Sequence, residues 1–133
     1  MSENGTEQKY IKEAFDTNWV VPLGPNVNGF EKDLEEFVNG HTDSTDNTEK
    51  LSKRVVALSS GTAAVHLGLL AAGVGRGDEV LVQSFTFCAS THPITYLGAT
   101  PVMIDSEPDT WNMEPALLEE AIKDRIAKTG REA

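Results

Sequence analysis

Residues 55–73 read VVALSSGTAAVHLGLLAAG, and this stretch decides the fold class. The apolar run 55–58 predicts a buried strand, and the Ala- and Leu-rich run 62–72, stopped by Gly73, predicts a helix. Ser59, Ser60 and Gly61 form the turn between them. A strand that passes through a turn of small residues directly into a helix is typical of α/β proteins with a parallel sheet.

The turn before the helix has two interpretations. The first amides of a helix have no partner within the helix and carry partial positive charge, so a phosphate could bind there, with Gly61 allowing a close approach. Alternatively, Ser60 or Thr62 only caps the helix. The sequence contains no P-loop, no G-x-G-x-x-G fingerprint and no G-x-S-x-G nucleophile elbow. If the turn does bind a phosphate, another kind of phosphorylated ligand or cofactor is indicated.

The rest of the chain continues the α/β alternation. Helical spacing predicts a short helix that ends near Asp16, and Asn28 with Glu31 resembles a capping box that opens a helix ending at Gly40. The segment 18–30 between them, which contains Trp19, is predicted to be extended and irregular. Further elements are predicted as strands at 79–83 and 98–106, a helix within 87–97, and a helix that starts near Pro115.

Composition and charge exclude several classes of protein. The net charge of −10 argues against general nucleic-acid binding, which usually needs a basic face. The lone Cys88 cannot form an internal disulfide; it is expected to be a small buried side chain in a reducing compartment. The three histidines, His41, His66 and His92, lack metal-ligand spacing, so no metal site is expected. The first residues do not resemble a signal peptide, and a cytoplasmic protein is predicted.

The second strand leads into the motif SFTF at residues 84–87. Phe85 and Phe87 follow the carboxyl end of a strand in a parallel sheet, where ligands usually bind. Phenylalanines are more often part of a hydrophobic core. A ring at this edge could instead stack on a flat cofactor. The two interpretations remain open for these two side chains.

Four motifs in this order resemble the DegT/DnrJ/EryC1/StrS family of pyridoxal-phosphate-dependent sugar aminotransferases. They are SSGTAA, GDEV, SFTF and GATPV, spread over residues 59–102, and upstream the segment PLGPNVNGFEKDLEEF is similar to the family's opening. The resemblance runs from about Trp19 to the last helix. It implies the N-terminal part of the large domain of the aspartate-aminotransferase-like fold, known as fold type I.

The resemblance also implies a cofactor, a substrate class and site residues. The cofactor is pyridoxal 5′-phosphate. Its phosphate is held by the backbone amides of Gly61, Thr62 and Ala63, and its pyridine ring stacks on Phe87. The substrates are glutamate and a nucleotide-linked 4-keto-6-deoxy sugar, as used in polysaccharide biosynthesis. The substrate side is formed by Trp19, Gly24 and Pro25. Relatives of this kind are homodimers.

The family's Schiff-base lysine is expected beyond Ala133, so no catalytic residue is assigned. The expected organisation is N-terminal helices with a substrate-side loop at 1–40, a polar loop at 41–53, and a partial cofactor-binding domain at 54–133. These residues alone are therefore expected to be inactive in transamination. Two alternatives stay open: a non-catalytic remnant or binding module, and part of a related sugar dehydratase that uses the same cofactor.

Overall fold

The computed structural model describes residues 3–40 and 53–130. The chain divides into two compact units, residues 1–57 and residues 58–133. Most of the predicted polar loop, residues 41–52 with His41, lies outside the described residues. Within the described residues, no helix is long and apolar enough to cross a membrane.

The first unit contains two helices, α1 (Thr6–Asp16) and α2 (Pro25–Gly40). The end of α1 agrees with the sequence pattern, but α2 begins three residues earlier than predicted. The expected capping box is wrong, because Asn28 lies inside the helix and donates its backbone N–H to the carbonyl of Gly24. Proline suits a first helical position, since its fixed φ is helical and it has no N–H to satisfy there.

The predicted strand at 55–58 is also wrong. The segment has no regular secondary structure and forms no ladder with any other described segment. Its amides instead bond to carboxylates of α2: the N–H of Val55 donates to Glu35 Oε1 (3.1 Å) and the N–H of Ala57 to Glu31 Oε1 (2.8 Å). Glu31 and Glu35 are one helical turn apart, so both face the same side of α2. The carboxylates of Glu31 and Glu35 thus accept the backbone N–H groups that would otherwise bond to a neighbouring strand.

The second unit is built on a two-stranded parallel sheet. Strand β1 (Glu79–Gln83) pairs with β2 (Thr100–Ile104) in the register Glu79 to Thr100 and Gln83 to Ile104. Helix α3 (Gly61–Ala71) precedes β1, a 3-10 turn (Cys88–Ser90) and α4 (His92–Tyr96) connect the strands, and α5 (Pro115–Thr129) follows β2. The helices and the strands β1 and β2 agree with the sequence pattern to within a few residues.

The centre of the second unit lies where α4 meets β2. Its buried residues are Pro93, Ile94, Ala99 and Ile104. His92 is the first residue of α4 and Pro93 the second; the missing N–H of Pro93 matters little in the first turn. Cys88 is exposed rather than buried, because it begins the 3-10 turn at the end of a surface loop.

A charged pair joins α5 to the start of β1. Arg125 Nε donates to Glu79 Oε2 at 2.7 Å, and Arg125 Nη2 bonds to the other carboxylate oxygen. The hydrogen bond that the guanidinium donates to Glu79 raises the pKa of Arg125, so the guanidinium stays charged. This bidentate geometry fixes the orientation of the Arg125 side chain relative to Glu79 better than a single hydrogen bond would. It holds α5 at the end of the sheet opposite to the SFTF motif.

Candidate functional site

The N-terminus of α3 combines a cap with unused backbone donors. Ser60 is extended (φ −163°, ψ 162°), and its Oγ accepts a hydrogen bond from the N–H of Ala63 at 3.2 Å. The N-cap interpretation of Ser60 is therefore confirmed. Among the described residues, the N–H groups of Gly61 and Thr62 have no acceptor. Gly61 has no atom within 4 Å of the position a Cβ would take, so the backbone there faces open space.

These features fit the phosphate end of a cofactor. Two parallel amides at a helix start, with space beside them, provide donors and partial positive charge to an anion. The Ala63 amide, which the sequence comparison with the family included, already bonds to Ser60. A phosphate oxygen would have to share that donor. The described geometry thus offers Gly61 and Thr62 as the directly available pair.

The carboxyl ends of the two strands are cross-linked next to the SFTF motif. The N–H of Ser84 donates to the carbonyl of Ile104 at 2.8 Å, and Ser84 Oγ donates to Asp105 Oδ1 at 3.2 Å. Asp105 Oδ1 also accepts the N–H of Ser106 at 2.8 Å. Helix α3 contacts the 3-10 turn that directly follows Phe87. Ser84, the first residue of the motif, is therefore held by hydrogen bonds to Ile104 and Asp105. The turn that follows the motif lies against α3.

Neither phenylalanine of the motif belongs to the core, so the core interpretation is wrong for both. Phe85 is 63% exposed and packs against Trp111, with ring centroids 5.2 Å apart at 50°. Phe87 is 77% exposed and has no ring partner among the described residues. Of the two rings, Phe87 is the more exposed and the one without a ring partner among the described residues.

A cleft of about 340 Å³ lies beside Phe85 and Trp111. Its other lining residues are Ser84, Asp105, Ser106, Glu107 and Pro108. The pKa of Glu107 is lowered because its carboxylate accepts hydrogen bonds from the hydroxyl of Thr110 and from backbone amides, Asp109 among them. With two carboxylates and no basic side chain in its lining, this cleft does not suit a phosphate. The start of α3, with its partial positive charge and its amides that lack an acceptor among the described residues, is better suited to bind an anion.

Sequence reasoning missed Trp111 and Gln83. Gln83 Nε2 donates to Ser106 Oγ (2.9 Å) and to the carbonyl of Trp111 (2.5 Å). Trp111 lies in a polar turn without periodicity, and Gln83 ends a strand, where nothing in the pattern distinguishes it. The contact between them depends on the fold of the 106–113 loop, so no sequence signal could have found it.

In the first unit, the predicted substrate-side residues Trp19 and Gly24 lie together, and Pro25 starts α2. The indole Nε1 of Trp19 donates to the carbonyl of Leu23 at 2.9 Å, and the ring lies directly against Gly24. Trp19 is 54% exposed, so about half of its surface is accessible. The close approach explains why the residue before Pro25 is glycine.

Gly24→Ala tests this close approach. A Cβ at residue 24 would collide with the Trp19 indole, so we expect the ring to leave Leu23 and become more exposed. The measurement is the indole N–H signal of Trp19 by NMR, which should move toward the position of a solvated indole. Gly29→Ala, where a Cβ meets nothing within 4 Å, is the matched control and should leave the signal unchanged. An unchanged Trp19 signal in Gly24→Ala would contradict the described contact.

The two histidines that the structure describes, His66 and His92, belong to no cluster of metal-binding side chains there. His66 on α3 and His92 on α4 both lie near the ring of Tyr96, with centroid distances of 5.6 and 6.4 Å. In the part of the chain that the structure describes, no group of three or more metal-binding side chains converges. His41 falls outside that part. The expectation concerning a metal thus stays a prediction for the chain as a whole.

Comparison with known proteins gives consistent matches. The sequence profile of the DegT/DnrJ/EryC1/StrS aminotransferase family matches residues 1–128. EpsN of Bacillus subtilis (strain 168), assigned to the pyridoxal phosphate-dependent aminotransferases, is 50% identical over 121 residues, which are 91% of this chain and 28% of EpsN. GDP-perosamine synthase of Caulobacter vibrioides is 38% identical over 92% of this chain and 30% of its own length.

A solved structure agrees with the fold. NtdA from Bacillus subtilis, determined with bound cofactor PMP, superposes with a TM-score of 0.72 at 30% identity, over 92% of this chain and 26% of NtdA. The chain thus spans about 30% of the length of its curated relatives. The expected fold class, the N-terminal part of fold type I, is confirmed, and pyridoxal phosphate is the cofactor of this family. The chain belongs to the DegT/DnrJ/EryC1/StrS aminotransferase family.

Proposed function

We propose that this chain forms the cofactor-phosphate and ring-stacking part of a sugar aminotransferase that uses pyridoxal 5′-phosphate. The observation that carries the proposal is the start of α3, where the amides of Gly61 and Thr62 have no acceptor among the described residues and a Cβ at residue 61 would meet nothing within 4 Å. These amides bind the phosphate, while Phe87 contacts the pyridine ring from the neighbouring loop. When bound, the cofactor's ring takes up the electron pair released at the carbon that carries the amino group.

The substrate side of the proposal concerns the first unit. Trp19 offers an exposed, hydrogen-bonded indole, and such a ring can cover the apolar face of a sugar or base. Gly24 keeps the indole in place and Pro25 starts the helix behind it. We propose that the amino donor is glutamate and that the acceptor is a nucleotide-linked 4-keto-6-deoxy sugar. GDP-perosamine synthase, a relative by sequence, supports this class. A cytoplasmic homodimer completes the proposal.

Four of the six lysines in the described residues lie in ion pairs on helix surfaces. Lys12, Lys32, Lys123 and Lys128 each form an exposed ion pair with a carboxylate four residues away on the same helix. Such pairs are typical of solvated helix faces. We therefore propose that these 133 residues on their own bind the cofactor and do not transaminate.

Binding of pyridoxamine 5′-phosphate to the isotope-labelled chain tests the proposal by NMR. We expect saturable shifts at the amides of Gly61, Thr62 and Ala63 and at the ring of Phe87. Pyridoxamine without the phosphate is the control, and its affinity should be lower by about 100-fold, since it lacks the charged group that the helix start attracts. Equal affinity for both compounds, or shifts only outside these residues, would contradict the proposed site.

A further inference from the structure

Gln83 connects the end of β1 to the loop that carries Trp111. Its side-chain nitrogen has two hydrogens, and two acceptors lie within bonding distance: Ser106 Oγ at 2.9 Å and the Trp111 carbonyl at 2.5 Å. The next residue, Ser84, opens the SFTF motif. The side chain of Gln83 therefore links the start of the motif to the opposite loop.

The Gln83 side chain donates to the backbone carbonyl of a residue in an unfavourable conformation. Trp111 has φ 64°, in the left-handed region that a bulky side chain rarely adopts. The loop around it is closed by the bridge between Ser106 and Met113 and by the N–H of Glu107, which donates to the carbonyl of Asn112 at 2.9 Å. Of these restraints, only the Gln83 amide acts on the Trp111 carbonyl directly. Removing it should release the Trp111 peptide.

The orientation of Trp111 affects the two phenylalanines differently. Its indole lies against Phe85 at 5.2 Å, so the first aromatic ring of the motif is engaged. Phe87, two residues further on, is left without a ring partner among the described residues. The contact with Trp111 restrains Phe85, whereas Phe87 has no such restraint among the described residues.

We propose that Gln83 is a positioning residue for the cofactor-facing ring: by fixing Trp111 against Phe85, it keeps Phe85 away and leaves Phe87 to contact the pyridine ring. This inference rests on the proposed function, because it concerns the same cofactor. Gln83 itself touches no ligand in this account. Its effect should therefore appear in binding of the ring and not in binding of the phosphate.

Gln83→Met removes the donors and keeps the length of the side chain. We expect the affinity for pyridoxamine 5′-phosphate to fall about tenfold, the size of effect that loss of one aromatic contact produces. The affinity for inorganic phosphate, followed at the amides of Gly61 and Thr62, should stay unchanged. The indole signal of Trp111, identified with Trp111→Phe, should shift because the ring leaves Phe85. Gln83→Lys, which restores a donor, should recover most of the affinity.

Gln8→Met is the matched control, since it is the same change on the exposed side of α1 and should alter neither affinity. If Gln83→Met binds pyridoxamine 5′-phosphate as tightly as the unmodified chain, the positioning role is wrong while the cofactor proposal stands. If Gln83→Met loses inorganic phosphate as well, Gln83 only supports the fold and the inference is equally wrong. If the unmodified chain binds no pyridoxamine 5′-phosphate, the proposed function itself fails.

Discussion

Gly61→Asp is expected to lower the affinity for pyridoxamine 5′-phosphate by about 100-fold or more and to leave α3 folded. Residue 61 is the first residue of α3 and faces open space, so the new side chain meets no steric obstacle. A carboxylate there would lie close to the phosphate, and at about 4 Å two like charges repel by about 4 kcal/mol in a partly screened site. The same carboxylate interacts favourably with the helix dipole.

Gly61→Asp should weaken ligand binding without destabilising the helix. A loss of affinity therefore cannot be attributed to unfolding of α3. Ligand affinity, measured by NMR titration, should fall, whereas the thermal midpoint should stay equal or rise slightly. Gly68→Asp is the matched control, because it places the same charge on the same helix two turns further on, again with nothing within 4 Å. Equal loss of affinity in both variants would point to net charge and would exclude the start of α3 as the phosphate site.

Ile94→Ala should cause the largest loss of stability in the second unit. Ile94 is 1% exposed, on a short helix that packs against β2, and few other side chains are fully buried. Truncating a buried isoleucine to alanine leaves a cavity and costs about 2–5 kcal/mol. In a unit of this size such a loss lowers the melting temperature by roughly 10–20 °C or more. Thermal unfolding followed by circular dichroism gives the measurement.

The control for this variant is Ile126→Ala, the same change on α5 at a residue that is 37% exposed. Its loss should be clearly smaller, because part of the side chain is already in water and neighbouring groups can relax into the space. If the two variants lose equal stability, the centre of the unit does not lie at α4 and β2 as described.

The sequence pattern predicts well those elements that are determined by residues close together in the chain. It also predicts short apolar runs that end at turn residues. Strand β1 was predicted with its observed ends, and α5 has its proline at the first position and its glycine C-cap, Gly130, at φ 68°. Residue 61 was singled out as a glycine at the predicted start of a helix, and α3 begins there. These features are determined by residues a few positions apart.

Predictions that depended on distant partners were wrong or absent. The run 55–58 has the composition of a strand, yet a strand exists only where a neighbour provides the ladder, and its donors bond to α2 instead. The packing of Phe85 against Trp111 depends on the 106–113 loop, whose structure periodicity does not describe. The start of α2 was misplaced because the pattern at Asn28 outweighed the simpler signal of Pro25.

The two glutamates of α2 also occupy backbone donors that could otherwise pair with another molecule. An apolar extended tract such as 55–58 can recruit strands from other molecules through its unpaired backbone groups, as the edges of sheets do. Along an extended chain the amides of residues two apart point the same way, so Val55 and Ala57 expose one row of donors. Glu35 and Glu31 occupy both. A helix thereby protects one edge of a solitary strand-like segment from intermolecular β-pairing.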